Sequence, residues 1–131
     1  MDNLRDWGVH YITKREMTPG DAVMFDIDDT LIYTNGNSIT PMIELLHVAR
    51  RLGYKIVIIT ARPGINPTIH WTINQLRNHR IYYDYLGFTS AETKILMKKN
   101  LPYNFILSVG DMSTDLTGSQ HVLNTSSFYH N

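Results

Sequence analysis

Apolar positions along the chain follow two rhythms. Residues 22–27, 55–60 ("KIVIIT"), 85–88 and 105–109 ("FILSV") are short apolar runs with no regular polar alternation. Runs of this kind suit strands buried on both faces of a parallel sheet. The segments between them repeat with helical spacing. Ile43, Leu46, Ala49 and Leu52 form one stripe, with Thr40 as its N-cap, Pro41 at the first helical position and Gly53 as a left-handed stop. Asn66-Pro67 opens another helix, with Ile69, Ile73 and Leu76 facing inward. Ser90 caps a third that runs to about Lys99. Leu4, Trp7 and Tyr11 predict a short amphipathic helix near the start. "TPGD" at 18–21 reads as a turn, and Asn35-Gly36 is a hairpin signal. Val122-Leu123 and residues 127–129 are both candidates for a last edge strand.

Strands alternating with helices predict an α/β protein. The expected form is a three-layer, Rossmann-like domain around a mainly parallel sheet with right-handed crossovers. Ligands of open sheets of this kind bind at the carboxyl ends of the strands. Three of the apolar runs end in polar residues: Asp26 and Asp28, Thr60, and Gly110-Asp111. All of these are expected at one edge of the sheet, so the pattern implies a site there.

Composition narrows the chemistry. The 131 residues suit one domain, and 43% hydrophobic with 18% charged residues is ordinary for a globular chain. The formal net charge is zero, with 12 basic and 12 acidic side chains, which argues against gripping nucleic acid by bulk charge. There is no cysteine, which excludes disulfides, thiolate catalysis and zinc-thiolate sites. No apolar run approaches the ~20 residues of a membrane span, and the N-terminal stretch is too charged for a signal peptide. A cytoplasmic location is therefore expected.

Asp26, Asp28 and Asp111 at one edge repel each other unless a cation binds. A hard divalent ion with oxygen ligands, most naturally Mg2+, relieves the repulsion and also takes substrate phosphate. Thr60 offers a hydroxyl and a backbone N–H, and Lys94 offers a cation. Such a set suits a phosphoryl group, whose transfer depends on positioning and charge neutralisation. An Asp carboxylate can act as nucleophile there, and a second can move the protons.

"DIDDTL" at 26–31 resembles the DxDxT signature of the haloacid dehalogenase superfamily of phosphatases. "IVIITAR" ends its apolar run in Thr60 like the second motif of that superfamily, Lys94 matches the third, and "VGDMSTDL" with Asp111 and Asp115 looks like its GDxxxD fourth. The motifs occur in the right order across residues 22–116, following an N-terminal extension of 20 residues. The resemblance implies Asp26 as nucleophile and Mg2+ ligand, and Asp28 as general acid/base with its carbonyl on the metal. It implies Asp111 as the completing metal ligand and Thr30 as a support of the nucleophile loop. Thr60 and Lys94 would hold the phosphoryl group, with Ala61 and Arg62 beside them as phosphate- or substrate-binding candidates. Asp115 would support the metal through water or orient Lys94. Little room exists for a cap domain in 32–38 or between Thr60 and Lys94, so the resemblance is to capless members. "ITARP" is similar to the matching stretch of acid phosphatases and of polynucleotide 3′-phosphatase domains.

Several residues carry a plainer alternative. Arg62 is read either as a substrate contact or as a structural salt bridge. Lys98 and Lys99 compete with Lys94. Asp29 reads as a solvated first-turn acid. Arg50-Arg51, Lys98-Lys99 and "RNHR" at 77–80 read as solvated helix faces, with nucleic-acid binding the alternative. The expected function is an Mg2+-dependent phosphatase working through an aspartyl phosphate. Its partner would be a nucleotide, a polynucleotide end, a small metabolite or a phosphoprotein, and it would be a candidate homo-oligomer. The alternative is a catalytically silent phosphate-binding or interaction module on the same fold.

Overall fold

A computed structural model describes residues 1–126. Its elements, in order, are α1 (Asp2–Thr13), β1 (Asp21–Phe25), α2 (Thr40–Leu52), β2 (Lys55–Thr60), α3 (Asn66–Asn78), β3 (Tyr85–Phe88), a 3-10 turn (Ala91–Thr93), α4 (Lys94–Asn100), β4 (Asn104–Gly110), α5 (Ser113–Leu116) and β5 (His121–Asn124). The strands form one sheet in the order β3-β2-β1-β4-β5, and every pairing is parallel. The sequence-based expectation of an α/β, Rossmann-like architecture holds.

The pleat sorts each strand onto two faces. Val23, Phe25, Ile56 and Ile58 join the larger core, with the apolar residues of α1 and α2 and with Leu76 of α3. Ala22, Met24, Val57, Ile59 and Phe105 form a smaller core on the other face, closed by Met97 of α4 and by Leu101 and Tyr103 beyond it. Central β1 is buried at all five positions, as an apolar run without alternation requires. No helix among the described residues is long and apolar enough to cross a membrane.

Local details depart from the periodic reading. In α1 the fully buried residues are Gly8 and Ile12, Leu4 and Tyr11 of the expected stripe pack half-buried against the core, and Trp7 is 57% exposed. A Cβ on Gly8 would lie 2.6 Å from Leu45 Cδ2, so the missing side chain lets α1 press onto α2. The N-terminal extension thus contributes to the main core. In α2 the N-cap is Ile39 and Thr40 is already helical, because Pro41 fits one of the first two helical positions. Met42 and Leu45 join the buried stripe while Leu52 is exposed, and Gly53 ends the helix at φ 101 as expected. In α3 the fully buried positions are Thr72 and Leu76, with Ile69 and Ile73 half-buried. Ser90 opens the 3-10 turn rather than α4 directly. The Asn35-Gly36 turn forms, with the Gly36 N–H donating to the Tyr33 carbonyl (2.8 Å) and Ile32 bridging Ser38. Val122-Leu123 supplies the edge strand, and the alternative at 127–129 lies outside the described residues.

Candidate active site

Strand register assembles the site. Phe25 of β1 pairs with Val109 of β4, and the Asp26 N–H donates to the Val109 carbonyl (3.0 Å). The residues that follow each strand, Asp26 on one side and Gly110-Asp111 on the other, therefore emerge side by side. Phe25 also pairs with Ile58 of β2, so Thr60 ends the neighbouring strand at the same edge.

Lys94 is the hub. Its ammonium donates to Asp26 Oδ1 (2.9 Å) and to Asp115 Oδ1 (2.6 Å). All three residues are nearly excluded from water, with Lys94 at 3%, Asp26 at 7% and Asp115 at 1% exposure. The other Asp115 oxygen accepts from the Met112 N–H (3.1 Å). Gly110 makes this approach feasible, since a Cβ there would lie 2.3 Å from Asp115 Cβ and 2.5 Å from its Oδ2. The glycine of the fourth motif is thus a clearance for the aspartate five residues on.

Asp26, Asp111 and Asp115 each place a carboxylate oxygen within 4.8 Å of the others. Burial pushes the Asp26 carboxyl well above the ordinary carboxylate range; Lys94 opposes the shift, and Asp115 and Asp111 reinforce it. Asp111 is also raised, first by burial. Burial lowers the Lys94 pKa, but the Asp26 and Asp115 charges outweigh it and the net shift is upward. Three carboxylates face one ammonium, so full ionisation would leave two negative charges uncompensated, and the raised Asp26 and Asp111 carboxyls reflect that surplus. That surplus and the all-oxygen donor set fit a hard divalent cation. The sequence-based metal set was Asp26, Asp28 and Asp111. In that reading Asp28 serves the metal through its backbone carbonyl, and its side chain is held apart by Arg62. Asp115 joins the cluster of carboxylates through the bond to Lys94, one of its two expected roles.

Asp28 is held by Arg62. The guanidinium donates through Nε to Asp28 Oδ2 (3.1 Å) and through Nη2 to Oδ1 (2.8 Å). Its Nη1 donates to Thr72 Oγ1 (3.1 Å) and Gln75 Oε1 (2.8 Å), and its carbon lies 5.1 Å from the centre of the Trp71 ring. Arg62 thus forms the salt bridge foreseen as one of its two alternatives, fastened to the wall of α3. The α3 residues in this arrangement, Trp71, Thr72 and Gln75, carried no motif. Their only sequence signal was their place on the helix that follows Arg62.

The remaining candidates have plainer surroundings. Thr60 is fully buried, and its hydroxyl accepts from the Arg62 N–H (3.1 Å). Ala61 is exposed just beyond it. Thr30 is buried, with its hydroxyl 3.5 Å from that of Thr125, which itself donates to the Asp29 carbonyl (3.2 Å). Asp29 takes φ 60, a left-handed conformation that aspartate tolerates, and one of its oxygens accepts from the Thr34 N–H (3.3 Å). It shapes the turn, and with Asp111, Tyr33 and Ser126 lines a hollow of about 270 Å3 at the mouth. Lys98 lies behind the cluster, donating to Ser108 Oγ (2.8 Å), Ser119 Oγ (3.0 Å), the Thr117 carbonyl (2.7 Å) and, at 3.4 Å, the Asp115 backbone carbonyl. Lys99 is exposed.

Solved structures share this architecture. The class C acid phosphatase from Bacillus anthracis matches with a TM-score of 0.66 at 15% identity, over 90% of this chain and 65% of that one. The same enzyme with tungstate bound matches at 0.65. A chain of the Pnkp1/Rnl/Hen1 complex matches with a TM-score of 0.65 at 22% identity. This chain has the fold of those proteins. It is covered over 79% of its length by the Pnkp1/Rnl/Hen1 match but spans only 43% of the matched chain. A second structure of that RNA repair complex matches at 0.63. No protein-family model matches the sequence, and no curated protein sequence matches it.

Proposed function

We propose that the protein is a phosphatase that hydrolyses a phosphate monoester through an aspartyl phosphate on Asp26, with Mg2+ as cofactor. The observation that carries this reading is the Asp26–Lys94–Asp115 constellation beside Asp111 at the carboxyl edge of the sheet. The fold shared with an acid phosphatase supports it. Asp26, Asp111 and Asp115 are the residues to hold the ion, which when bound would neutralise charge on the phosphoryl oxygens.

An Asp26 oxygen attacks phosphorus and the bond to the leaving oxygen breaks, with Asp28 supplying the proton that oxygen needs. Asp28 then takes a proton from water as the water attacks the phosphorus of the acyl phosphate. The Asp26–phosphorus bond breaks, and inorganic phosphate and the free carboxylate return. Lys94 neutralises charge on the transferring group and keeps the nucleophile aligned. Arg62 is a positioning residue, because it fixes the Asp28 carboxylate through both oxygens. One of those bonds must open when Asp28 carries a proton.

The substrate reading follows from the rim. Ile65, Trp71 and Met112 belong to segments that follow site-bearing strands, and they are 60%, 58% and 53% exposed. Exposed apolar surface beside a phosphate site suits an organic leaving group with a flat face, such as a nucleoside, over a small polar metabolite. Release of p-nitrophenolate from p-nitrophenyl phosphate tests the activity. Mg2+ is expected to support turnover, and chelation or Asp26→Asn to remove it. Full activity of that variant would overturn the reading.

A silent phosphate-binding module is the second reading. What favours it is that Arg62 occupies both oxygens of the acid/base. Its signature would be an acyl phosphate that forms and does not turn over.

A further inference from the structure

Seven arginines occur in the chain. Three pair with carboxylates: Arg5 with Glu44, Arg15 with Asp21 and Arg62 with Asp28. The other four, Arg50, Arg51, Arg77 and Arg80, make no ion pair among the described residues, and all four are exposed. They come from two separate stretches that the fold brings to one place. Arg50 and Arg51 lie in the last turn of α2, Arg77 lies in the last turn of α3, and Arg80 follows two residues after its end. Both helices run back from the carboxyl edge of the sheet, so their ends meet at the amino edge, opposite Asp26.

Tyr82 is at the centre of this end and is 48% exposed. The Arg50 guanidinium carbon lies 5.0 Å from the centre of its ring, and the His47 ring stacks loosely on it at 6.4 Å. His47 Nε2 is 2.8 Å from the Arg80 carbonyl, which ties the Arg80 backbone to the same end. A hollow of about 510 Å3 is lined by Arg50, Arg51, Lys55 and Tyr82, among others. A second of about 390 Å3 is lined by Arg50, Arg77 and Tyr82 with neighbouring apolar residues. They share Arg50 and Tyr82, so the two hollows adjoin and count together as one groove. Its only lining carboxylate is Asp84, which accepts from the Ile56 N–H (2.8 Å).

Helix dipoles favour a cation at the C-terminal end of each helix. They do not require two ends to share one groove, nor an aromatic ring between them. Four like charges gathered without partners repel, and a polyanion relieves that repulsion. We infer that this groove binds single-stranded nucleic acid, with phosphates on Arg51, Arg77, Arg80 and Lys55 and a base stacked at the Tyr82–Arg50 pair. The ring decides between polyanions, because a single strand offers an unstacked base to an aromatic or guanidinium plane whereas a duplex or an acidic peptide does not. The groove is distinct from the catalytic edge. Lys55 and Thr60 are the two ends of β2, about 17 Å apart at ~3.3 Å per residue. The inference goes beyond the phosphatase reading and does not depend on it.

The test is fluorescence anisotropy of a labelled 12-nucleotide thymidine strand with the full chain, in chelator, from 50 to 200 mM NaCl. The expected slope of log K against log salt is about −3, for four cations at ~0.7 each. Arg51→Gln and Arg77→Gln are each expected to reduce that slope by about 0.7. Tyr82→Ala is expected to weaken binding roughly 5- to 100-fold with the slope unchanged, the signature of a lost stack. Lys99→Gln, an exposed cation elsewhere, should leave binding as it was. In all four variants any p-nitrophenyl phosphate turnover should equal that of the parent. No binding at 50 mM salt would overturn the inference. So would variants that bind like the parent, a Lys99→Gln loss as large as the others, or tighter binding of a duplex or of polyglutamate. Failure of the phosphatase reading would show as absent turnover and would leave the anisotropy result standing.

Discussion

Replacing Asp26 by Asn is predicted to make the metal-free protein more stable at neutral pH while removing its activity. Asp26, Asp115 and Lys94 are all nearly excluded from water, and Asp111 adds a third carboxylate against a single ammonium. Asparagine keeps an oxygen for Lys94 and discards one charge of the surplus. Burial, reinforced by Asp115 and opposed by Lys94, raises the Asp26 pKa on folding. The folded state therefore binds its proton to higher pH than the unfolded state. Parent stability accordingly declines as pH climbs past the ordinary carboxylate range near ~4. Asparagine does not titrate, so the variant and the parent should match near pH 4 and diverge above it. An under-compensated buried charge is worth about 1–3 kcal/mol, which for a chain of this size corresponds to a rise of roughly 3–12 °C in Tm. Thermal melts followed by circular dichroism in chelator from pH 4 to 8 measure this. Added Mg2+ should reverse the order, because a ligand at 100 times its Kd stabilises by about 2.7 kcal/mol and the variant has lost one ligand. A variant no more stable than the parent in chelator at pH 6–8 would refute the reasoning, as would equal Mg2+ shifts in both proteins.

Other outcomes follow from the same structure. Gly110→Ala places a Cβ against Asp115 and should lower stability by about 1–3 kcal/mol in denaturant titration, with at least a tenfold loss of turnover. Arg62→Lys keeps the charge but loses the fork on Asp28; kcat is expected to fall roughly 10- to 100-fold with KM little changed, whereas a large rise in KM alone would make Arg62 a substrate contact. Lys98 is buried and its pKa is lowered to about 8, with Asp115 opposing. The unfolded chain thus binds the extra proton between about pH 8 and 10.5, and stability attributable to Lys98 should rise across that window, by on the order of 3 kcal/mol. Denaturant melts of the parent against Lys98→Met measure it, and parallel pH profiles would contradict it.

The fold was legible because unalternating apolar runs at 55–60 and 105–109 have few other ways to be buried. The helix faces were less so. Trp7 fits an apolar spacing that Gly8 and Ile12 in fact fill, because close approach of two helices rewards the absence of a side chain that periodicity cannot score. Thr40 looked like a cap, but a cap depends on one residue's backbone angles and Ile39 has that place. At the site, the edge shared by Asp26, Thr60 and Asp111 follows from strand ends. The contact of Asp26 with Lys94 spans 68 positions and was reached through motif order. Asp115 beside Lys94 was reached the same way. Which carboxylate Arg62 pairs with depends on side-chain geometry across elements. So does the convergence of Arg50 with Arg77, two stretches that each read alone as a solvated face.

The central claim is that Asp26 carries the phosphoryl group. It is tested most directly by quenching Asp28→Asn during reaction with p-nitrophenyl phosphate and Mg2+, then mapping phosphorylation by mass spectrometry. The p-nitrophenolate ion leaves without a proton, so the first step survives the substitution, while attack by water loses its base. The predicted result is one phosphoryl group accumulating on Asp26. No label on Asp26, or a label on another residue, would contradict the account.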